Sequence, residues 1–152
     1  MLKIGPKVRI QLVVEENPES RVVIEDAASL WELLKDEVRK WDRERFFVLL
    51  LDRRNSVIGF DEVAVGFPAL TVVSRHNILK AVILSNAAAF VCVHNHPEGN
   101  PEPSEDDKVV TQQILELGII LGTPMMDHVI LGAESYYSFV EAGFKNKQEV
   151  GH

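Results

Sequence analysis

Hydrophobic and polar positions alternate at the start of the chain in a way that predicts strands. Residues 7 to 26, KVRIQLVVEENPESRVVIED, contain two alternating apolar stretches on either side of ENPES, which predicts a β-hairpin or a pair of edge strands. The next segment predicts an amphipathic helix, with Asp26 or Ser29 as its N-cap. Its apolar face consists of Leu30, Leu34, Val38 and Trp41.

Apolar runs separated by polar turns continue the pattern. RFFVLLLD predicts a buried central strand, and the turn DRRN leads into an antiparallel partner, SVIGFDEVAVG. RHNILKAVILSNAAA predicts a helix, FVCVH a strand, and SEDDKVVTQQILELG a second helix that starts at Ser104 and ends at a C-cap glycine, Gly118. DHVILG and YYSFVEAG predict a closing strand and a last strand or turn.

This order of elements predicts an α/β or α+β fold, with a mixed, largely antiparallel sheet flanked by helices. The length of 152 residues fits one domain over residues 1–152, in which residues 1–25 form a strand-like N-terminal extension.

Composition narrows the classes of protein. Hydrophobic residues make up 46% and charged residues 26%, which is typical of a folded globular chain. The longest apolar run, AAAFVCV, is too short to cross a bilayer, and the N-terminus lacks a signal-peptide core. The single cysteine, Cys92, excludes an intrachain disulfide, so we expect a cytoplasmic protein. Cys92 lies in an apolar run and is interpreted as an inert buried thiol, with a role near the neighbouring histidines as the alternative.

The net charge of −7 argues against nucleic-acid binding, which depends on Lys and Arg at phosphates. The basic residues of RKWDRER and DRRN are interleaved with acids and indicate a solvated surface.

The segment VHNHPEGNPEPSEDDK carries the candidate chemistry. On a strand, His94 and His96 point to the same side, with Asn95 serving only as the spacer. Pro97 ends the strand, and the following turn returns Ser104 and Asp107 towards the histidines. Two imidazoles and one carboxylate form a three-ligand set suited to Zn²⁺, with a fourth position open to water.

Other interpretations of the same residues stay open. A His-x-His pair is a weak signal in a chain with five histidines, and Ser104-x-x-Asp107 is close to a helix capping box. The letters HNH do not indicate an HNH nuclease. His76 is interpreted as a surface or capping residue. Asp127 and His128 lie on opposite faces of a strand and are assigned structural roles, with Asp127 as an alternative outer carboxylate beside a metal-binding histidine.

The whole motif, His-x-His-Pro followed by six residues and Ser-x-x-Asp, resembles that of the JAB/MPN (JAMM) metalloproteases and, within them, the bacterial RadC-like proteins. The likeness extends over roughly residues 42 to 144, through FFVLLLDRRNSVIG, GIILGTPMMDHVILG and SYYSF. It departs where RadC-like proteins usually read HPREVF, since SRHNILK places Asn77 instead of an acid, and a helix-hairpin-helix module is expected to be absent.

The resemblance implies a JAB/MPN, cytidine-deaminase-like architecture and a role for each matching residue. His94, His96 and Asp107 match the zinc ligands, and Ser104 matches the serine that stabilises the oxyanion. The family's general base precedes an apolar strand, which identifies Glu44; Glu62 is the second choice, and a surface ion pair with Arg43 or Arg45 is the alternative role of Glu44.

The implied function is zinc-dependent hydrolysis of a peptide or isopeptide bond in a peptide or protein substrate. The alternatives are a non-catalytic interaction module of the same fold and a DNA-repair-associated accessory protein.

Overall fold

A computed structural model describes residues 5–13, 21–66 and 74–144. Within these ranges lie three helices, α1 (Ala27–Val38), α2 (Arg75–Leu84) and α3 (Glu105–Leu121). The same ranges contain five strands, β1 (Arg45–Leu51), β2 (Val57–Val65), β3 (Ala89–Asn95), β4 (Met125–Leu131) and β5 (Tyr136–Ser138).

The five strands form one sheet in the order β2-β1-β3-β4-β5. Three of the four neighbouring pairs are antiparallel, and only β3 and β4, which α3 connects, run parallel. The predicted mixed, largely antiparallel sheet is therefore confirmed, as is the hairpin of β1 with β2; β1 is an interior strand, next to the central strand β3.

Helices cover both faces of the sheet. Because side chains alternate along a strand, Phe46 and Val48 of β1 point into one apolar cluster with α2 and α3, whereas Phe47 and Leu51 point into another with α1. The alternation thus separates two cores. The elements that carry the candidate site residues meet at the edge of the α2/α3 side.

Polar caps set the helix starts. Asp26 caps α1 in a reciprocal capping box with Ser29, which confirms the first of the two predicted N-caps. Ser74 and Ser104 cap α2 and α3.

The predicted end of α3 at Gly118 is wrong. The helix continues to Leu121, and the left-handed C-cap residue is Gly122, with a φ of 71°. Gly118 is buried within the helix, where a side chain would not fit. A Cβ there would lie 2.8 Å from the Thr123 carbonyl oxygen and 3.2 Å from the Met125 nitrogen. Its small size permits close packing of the helix against the chain that follows.

The predicted N-terminal hairpin falls partly on residues 14–20, outside the described residues. The described residues 5–13 contain no strand, and Val23 forms an isolated antiparallel bridge with Ser56. No helix within the described ranges is long and apolar enough to cross a membrane.

Candidate metal centre

The two histidines of the motif lie at the end of the buried strand β3. His94 is fully buried, opposite Phe46 of β1 and Ile130 of β4, and His96 follows the last strand residue. The backbone N–H of His96 donates to the Leu131 carbonyl at 2.9 Å, which extends the strand by one residue. This extension keeps both rings on one side, with their Nε2 atoms 3.1 Å apart.

The start of α3 brings a carboxylate to these rings. Asp107 is buried, and its Oδ1 and Oδ2 atoms lie 3.3 Å from His94 Nε2 and 3.2 Å from His96 Nε2. It is also the third helical residue of a capping box. The Ser104 N–H donates to Asp107 Oδ2 at 2.8 Å, and the Asp107 N–H donates to Ser104 Oγ at 3.0 Å. Capping and proximity to the histidines are thus combined in one side chain.

Glu44 completes the group from the start of β1. Only 4% of this residue is exposed, and its Oε1 lies 3.9 Å from His94 Nε2. Potential ligand atoms of Glu44, His94 and His96 all lie within 4.8 Å of one another, a group that could hold a metal ion.

Glu62, the second choice for the base, is placed elsewhere. It pairs in register with Phe47, whose side chain belongs to the α1 cluster, and its carboxylate accepts from the Arg45 guanidinium at 3.1 Å. Arg45 therefore pairs with Glu62, while Glu44 lies among the histidines.

The spacing of the two imidazole nitrogens fits a tetrahedral metal ion, with the Asp107 carboxylate close to both. Ligand bonds of 2.0–2.1 Å at tetrahedral angles separate neighbouring ligand atoms by about 3.3 Å. His94 Nε2 and His96 Nε2 lie 3.1 Å apart, and they lie 3.3 and 3.2 Å, respectively, from the two different oxygens of Asp107. The distance of 3.9 Å from Glu44 to His94 exceeds this spacing, so Glu44 lies further out than the other three.

The hydrogen bond on the far side of the His96 ring supports the same fit. His96 Nδ1 lies 2.9 Å from the Asn100 carbonyl oxygen, which can only accept, so Nδ1 carries the proton. In the neutral ring, Nε2 then presents its lone pair to the group. An outer hydrogen bond of this kind is the usual support of a metal-binding histidine.

The pKa values of Asp107 and His96 are both shifted by their contact with each other. Burial opposes ionisation of Asp107, but the closeness of the His94 and His96 rings outweighs it and holds the pKa of Asp107 well below the usual range. Burial likewise opposes charging of His96, but the hydrogen bond to Asp107 prevails and raises the pKa of His96. Asp107 is therefore an anion that favours a cation beside it.

Ser104 lies on the exposed rim of this group. Its hydroxyl accepts from the Asp107 N–H, which leaves the hydroxyl proton available to donate. The capping role anticipated for Ser104 is present, and its role towards a substrate stays a prediction.

Three residues around the site have contacts that sequence reasoning missed. Asn95 is more than a spacer, because its buried amide bonds the backbone on both sides of Glu44. Asn95 Oδ1 accepts from the Arg45 N–H at 2.7 Å, and Nδ2 donates to the Arg43 carbonyl at 2.9 Å. The backbone ladder between β1 and β3 ends at Phe46 and His94, so this side chain continues the pairing.

The other two residues, His128 and Thr111, lie behind His94. His128 Nε2 lies 2.7 Å from His94 Nδ1, and burial, reinforced by His94, lowers the pKa of His128 well below its ordinary value. His128 rather than Asp127 is thus the outer partner of the histidine. Asp127 faces the other way and accepts from the Ser138 hydroxyl at 2.6 Å and from the Val140 N–H at 3.1 Å. The contact of His128 with His94 could not be predicted from the sequence because it depends on the parallel pairing of β3 with β4.

Two further described residues that were singled out in the sequence form no hydrogen bond or ion pair with the metal-site donors. His76 is exposed on the first turn of α2, and Ser74 rather than His76 caps that helix. Cys92 is buried in the apolar cluster between the sheet and α2/α3, where burial raises the pKa of its thiol and leaves it protonated.

Comparison with known proteins gives a family and relatives. A family model described as RadC-like JAB domain matches residues 24–144. The UPF0758 protein of Rubrobacter xylanophilus is 40% identical over 133 residues, which cover 88% of this chain and 58% of that protein. The UPF0758 protein of Desulforamulus reducens is 35% identical over 125 residues, covering 82% of this chain and 55% of that protein. The chain therefore spans little more than half the length of these relatives.

Proposed function

The chain belongs to the RadC-like JAB domain family, and we propose that it is a zinc-dependent hydrolase of JAMM type that cleaves a peptide or isopeptide bond. The observation that carries the proposal is the convergence of four buried or half-buried donor groups at the junction of β1, β3 and α3. His94, His96 and Asp107 would hold the metal. When bound, Zn²⁺ supplies a Lewis acid for a carbonyl oxygen and a water acidic enough to attack at neutral pH.

Glu44 is proposed as the general base. Its carboxylate lies next to the three proposed ligands but further from His94 Nε2 than they lie from one another. This position suits a group that accepts a proton from the attacking water and passes it to the leaving amine nitrogen. A correctly placed general base contributes about 10²–10⁴-fold to rate.

Ser104 is proposed to donate a hydrogen bond to the substrate oxygen on which negative charge develops. It is the N-cap of the 17-residue helix α3, whose N-terminal end carries partial positive charge. Its hydroxyl proton is not used by the capping bond, in which Oγ accepts. A donor of this kind is worth about 10²–10³-fold in kcat.

The substrate proposed for this site is a peptide or protein, in the cytoplasm. Nucleic acid is a poor candidate because the chain carries a net charge of −7.

The test combines metal binding with cleavage. We expect the protein to bind one equivalent of Zn²⁺, and His94→Ala to lose it, while His76→Ala, which removes an exposed histidine on α2, retains it. Zinc-loaded protein is then incubated with peptides of diverse sequence and with peptides joined through lysine side chains, and new termini are counted by mass spectrometry.

Glu44→Gln should retain zinc and lose at least about 10²-fold in cleavage rate, whereas Glu62→Gln, the matched carboxylate, should cleave normally. Zinc binding that survives in His94→Ala would overturn the metal site. Zinc binding with no cleavage beyond that of Glu44→Gln would overturn the hydrolase and leave the non-catalytic interaction module.

A further inference from the structure

A file of hydrogen-bonded side chains leads from α3 through β4 to the proposed metal ligand His94. Thr111 Oγ1 lies 2.6 Å from the Asp107 carbonyl oxygen and 2.6 Å from His128 Nδ1. His128 Nε2 in turn lies 2.7 Å from His94 Nδ1. Thr111, His128 and His94 are each 0% exposed, so water cannot replace any of these partners.

The direction of every bond in this file follows from its first member. A carbonyl oxygen only accepts, so the single hydroxyl proton of Thr111 is donated to the Asp107 carbonyl. Thr111 Oγ1 must then accept from His128 Nδ1–H. A neutral imidazole carries one ring proton, so His128 Nε2 is bare and accepts from His94 Nδ1–H.

We propose that Thr111 and His128 are positioning residues that hold His94 with its proton on Nδ1 and its Nε2 directed at the metal. The inference rests on the metal-binding part of the proposed function. It goes beyond that function because it assigns a task to two residues that contact neither substrate nor metal. His128 thereby serves His94 as the Asn100 carbonyl serves His96.

Aromatic rings stack on both imidazoles and hold them in orientation. Phe46 stacks on His94 with a centroid distance of 5.7 Å, and Phe139 stacks on His128 at 5.1 Å. The file also begins at the backbone of Asp107, whose side chain approaches both site histidines. Thr111 and His128 therefore couple a ligand on α3 to a ligand on β3.

Removing the threonine hydroxyl separates this role from packing. Thr111→Val keeps the shape of the side chain but loses both bonds, so His128 can move its proton to Nε2 and donate to His94 Nδ1. His94 would then carry its own proton on Nε2, where the metal must bind. Thr111→Ser restores the hydroxyl and is the matched control.

The first measurement is the affinity for Zn²⁺ alone, by competition with a chromophoric chelator. Thr111→Val should bind zinc about 10–100-fold more weakly than the wild type, and Thr111→Ser within a few-fold of it. Urea unfolding of both metal-free variants checks that each is folded. Equal zinc affinity in the two folded variants would overturn the proposal.

The second measurement uses the unaltered, metal-free protein and needs no variant to fold. Two-bond ¹H–¹⁵N correlation spectra identify which ring nitrogen carries a proton. We expect a proton on His94 Nδ1 and on His128 Nδ1, with His128 Nε2 bare; a proton on His128 Nε2 would overturn the proposal. If the wild type binds no zinc, the proposed function fails, while these spectra still decide whether the file is directed as inferred.

Discussion

At the scale of single residues, Asn95 holds the backbone on both sides of Glu44. Its amide accepts from Arg45 N–H and donates to the Arg43 carbonyl, one residue on either side of Glu44. Asn95 is itself 1% exposed, so its bonds are not replaced by water. The distance between Glu44 and His94 therefore depends on a side chain that belongs to the histidine strand.

Asn95→Ala should destabilise the protein and slow cleavage while leaving zinc in place. The part-buried Arg45 N–H and Arg43 carbonyl lose their partners, which costs at most about 1–3 kcal/mol each. The measurement is urea unfolding together with zinc content, with Asn77→Ala on the exposed surface of α2 as the control. An Asn95→Ala protein as stable as the control would contradict a stabilising role for the two hydrogen bonds of Asn95.

A second prediction at this scale concerns pH. In the metal-free protein, burial opposes the charging of His96, but the hydrogen bond to Asp107 more than offsets this effect. The pKa of His96 therefore lies above 6.5. Because zinc needs the bare Nε2 atom, apparent zinc affinity should fall as pH falls through this pKa, and zinc addition near pH 6.5 should release protons.

Zinc affinity is the appropriate readout because the effects on stability oppose one another. The raised pKa of His96 contributes stability to the metal-free fold that is fully present below pH 6.5 and is lost as pH rises through the folded pKa. The lowered pKa of His128 acts in the other direction. The stability that His128 contributes to the fold is present above pH 6.5 and is lost as pH falls below it towards the folded pKa. Competition titrations from pH 8 to 5.5 that give a constant zinc affinity would contradict the prediction.

At the scale of elements, the first turn of α3 has two tasks that a substitution can separate. Ser104 caps the helix and is the proposed oxyanion donor, and either task would account for a serine at this position. The capping box was readable from Ser104-x-x-Asp107, whereas the closeness of Asp107 to both histidines depends on where the helix starts relative to β3.

Ser104→Gly should keep most of the capping energy, because glycine at an N-cap costs only a few tenths of a kcal/mol, yet lose about 10²-fold in kcat because glycine has no side-chain donor. Ser74→Ala is the complementary control at the N-cap of α2. It should cost about 1 kcal/mol of stability and leave kcat unchanged. Unchanged kcat in Ser104→Gly would assign Ser104 to capping alone.

The two glycines of α3 show where periodicity stops being informative. Sequence reasoning took the first glycine after the apolar repeat as the C-cap, but the requirement at Gly118 is space and the left-handed residue is Gly122. The difference arises from how closely the helix returns onto Thr123 and Met125. Local sequence does not encode that approach.

Gly118→Ala should destabilise the fold by about 1–3 kcal/mol, since the new methyl group meets backbone atoms that cannot move aside. In an unobstructed helix the same change would stabilise by up to about 1 kcal/mol, so the sign of the effect decides. Ile120→Ala, at a side chain 78% exposed on the same helix, should be nearly neutral in urea unfolding. A Gly118→Ala protein more stable than the wild type would refute the close packing.

At the scale of the whole molecule, the candidate site joins residues that are far apart in sequence. The two histidines, Asp107 and Ser104 were predictable because they share one motif, and Glu44 through the family's pattern. His128 was assigned only a structural role, because its closeness to His94 depends on the register in which Cys92 pairs with His128 between two parallel strands. Strand order cannot be read from periodicity, so the outer layer of the site became visible only in the folded chain.

Because the proposed ligands bridge β3 and α3, metal binding should stabilise the entire fold. Free Zn²⁺ at 100 times its Kd adds about 2.7 kcal/mol if only the native state binds it. For a chain of this size that corresponds to a rise in Tm of about 5–11 °C.

The rise should be measured by differential scanning calorimetry with and without a chelator. It should persist in His76→Ala and disappear in His94→Ala. Mg²⁺ at the same concentration should leave Tm unchanged, because it prefers an octahedral shell of oxygen ligands to two imidazoles. An equal rise in His94→Ala would mean that zinc stabilises the protein from elsewhere.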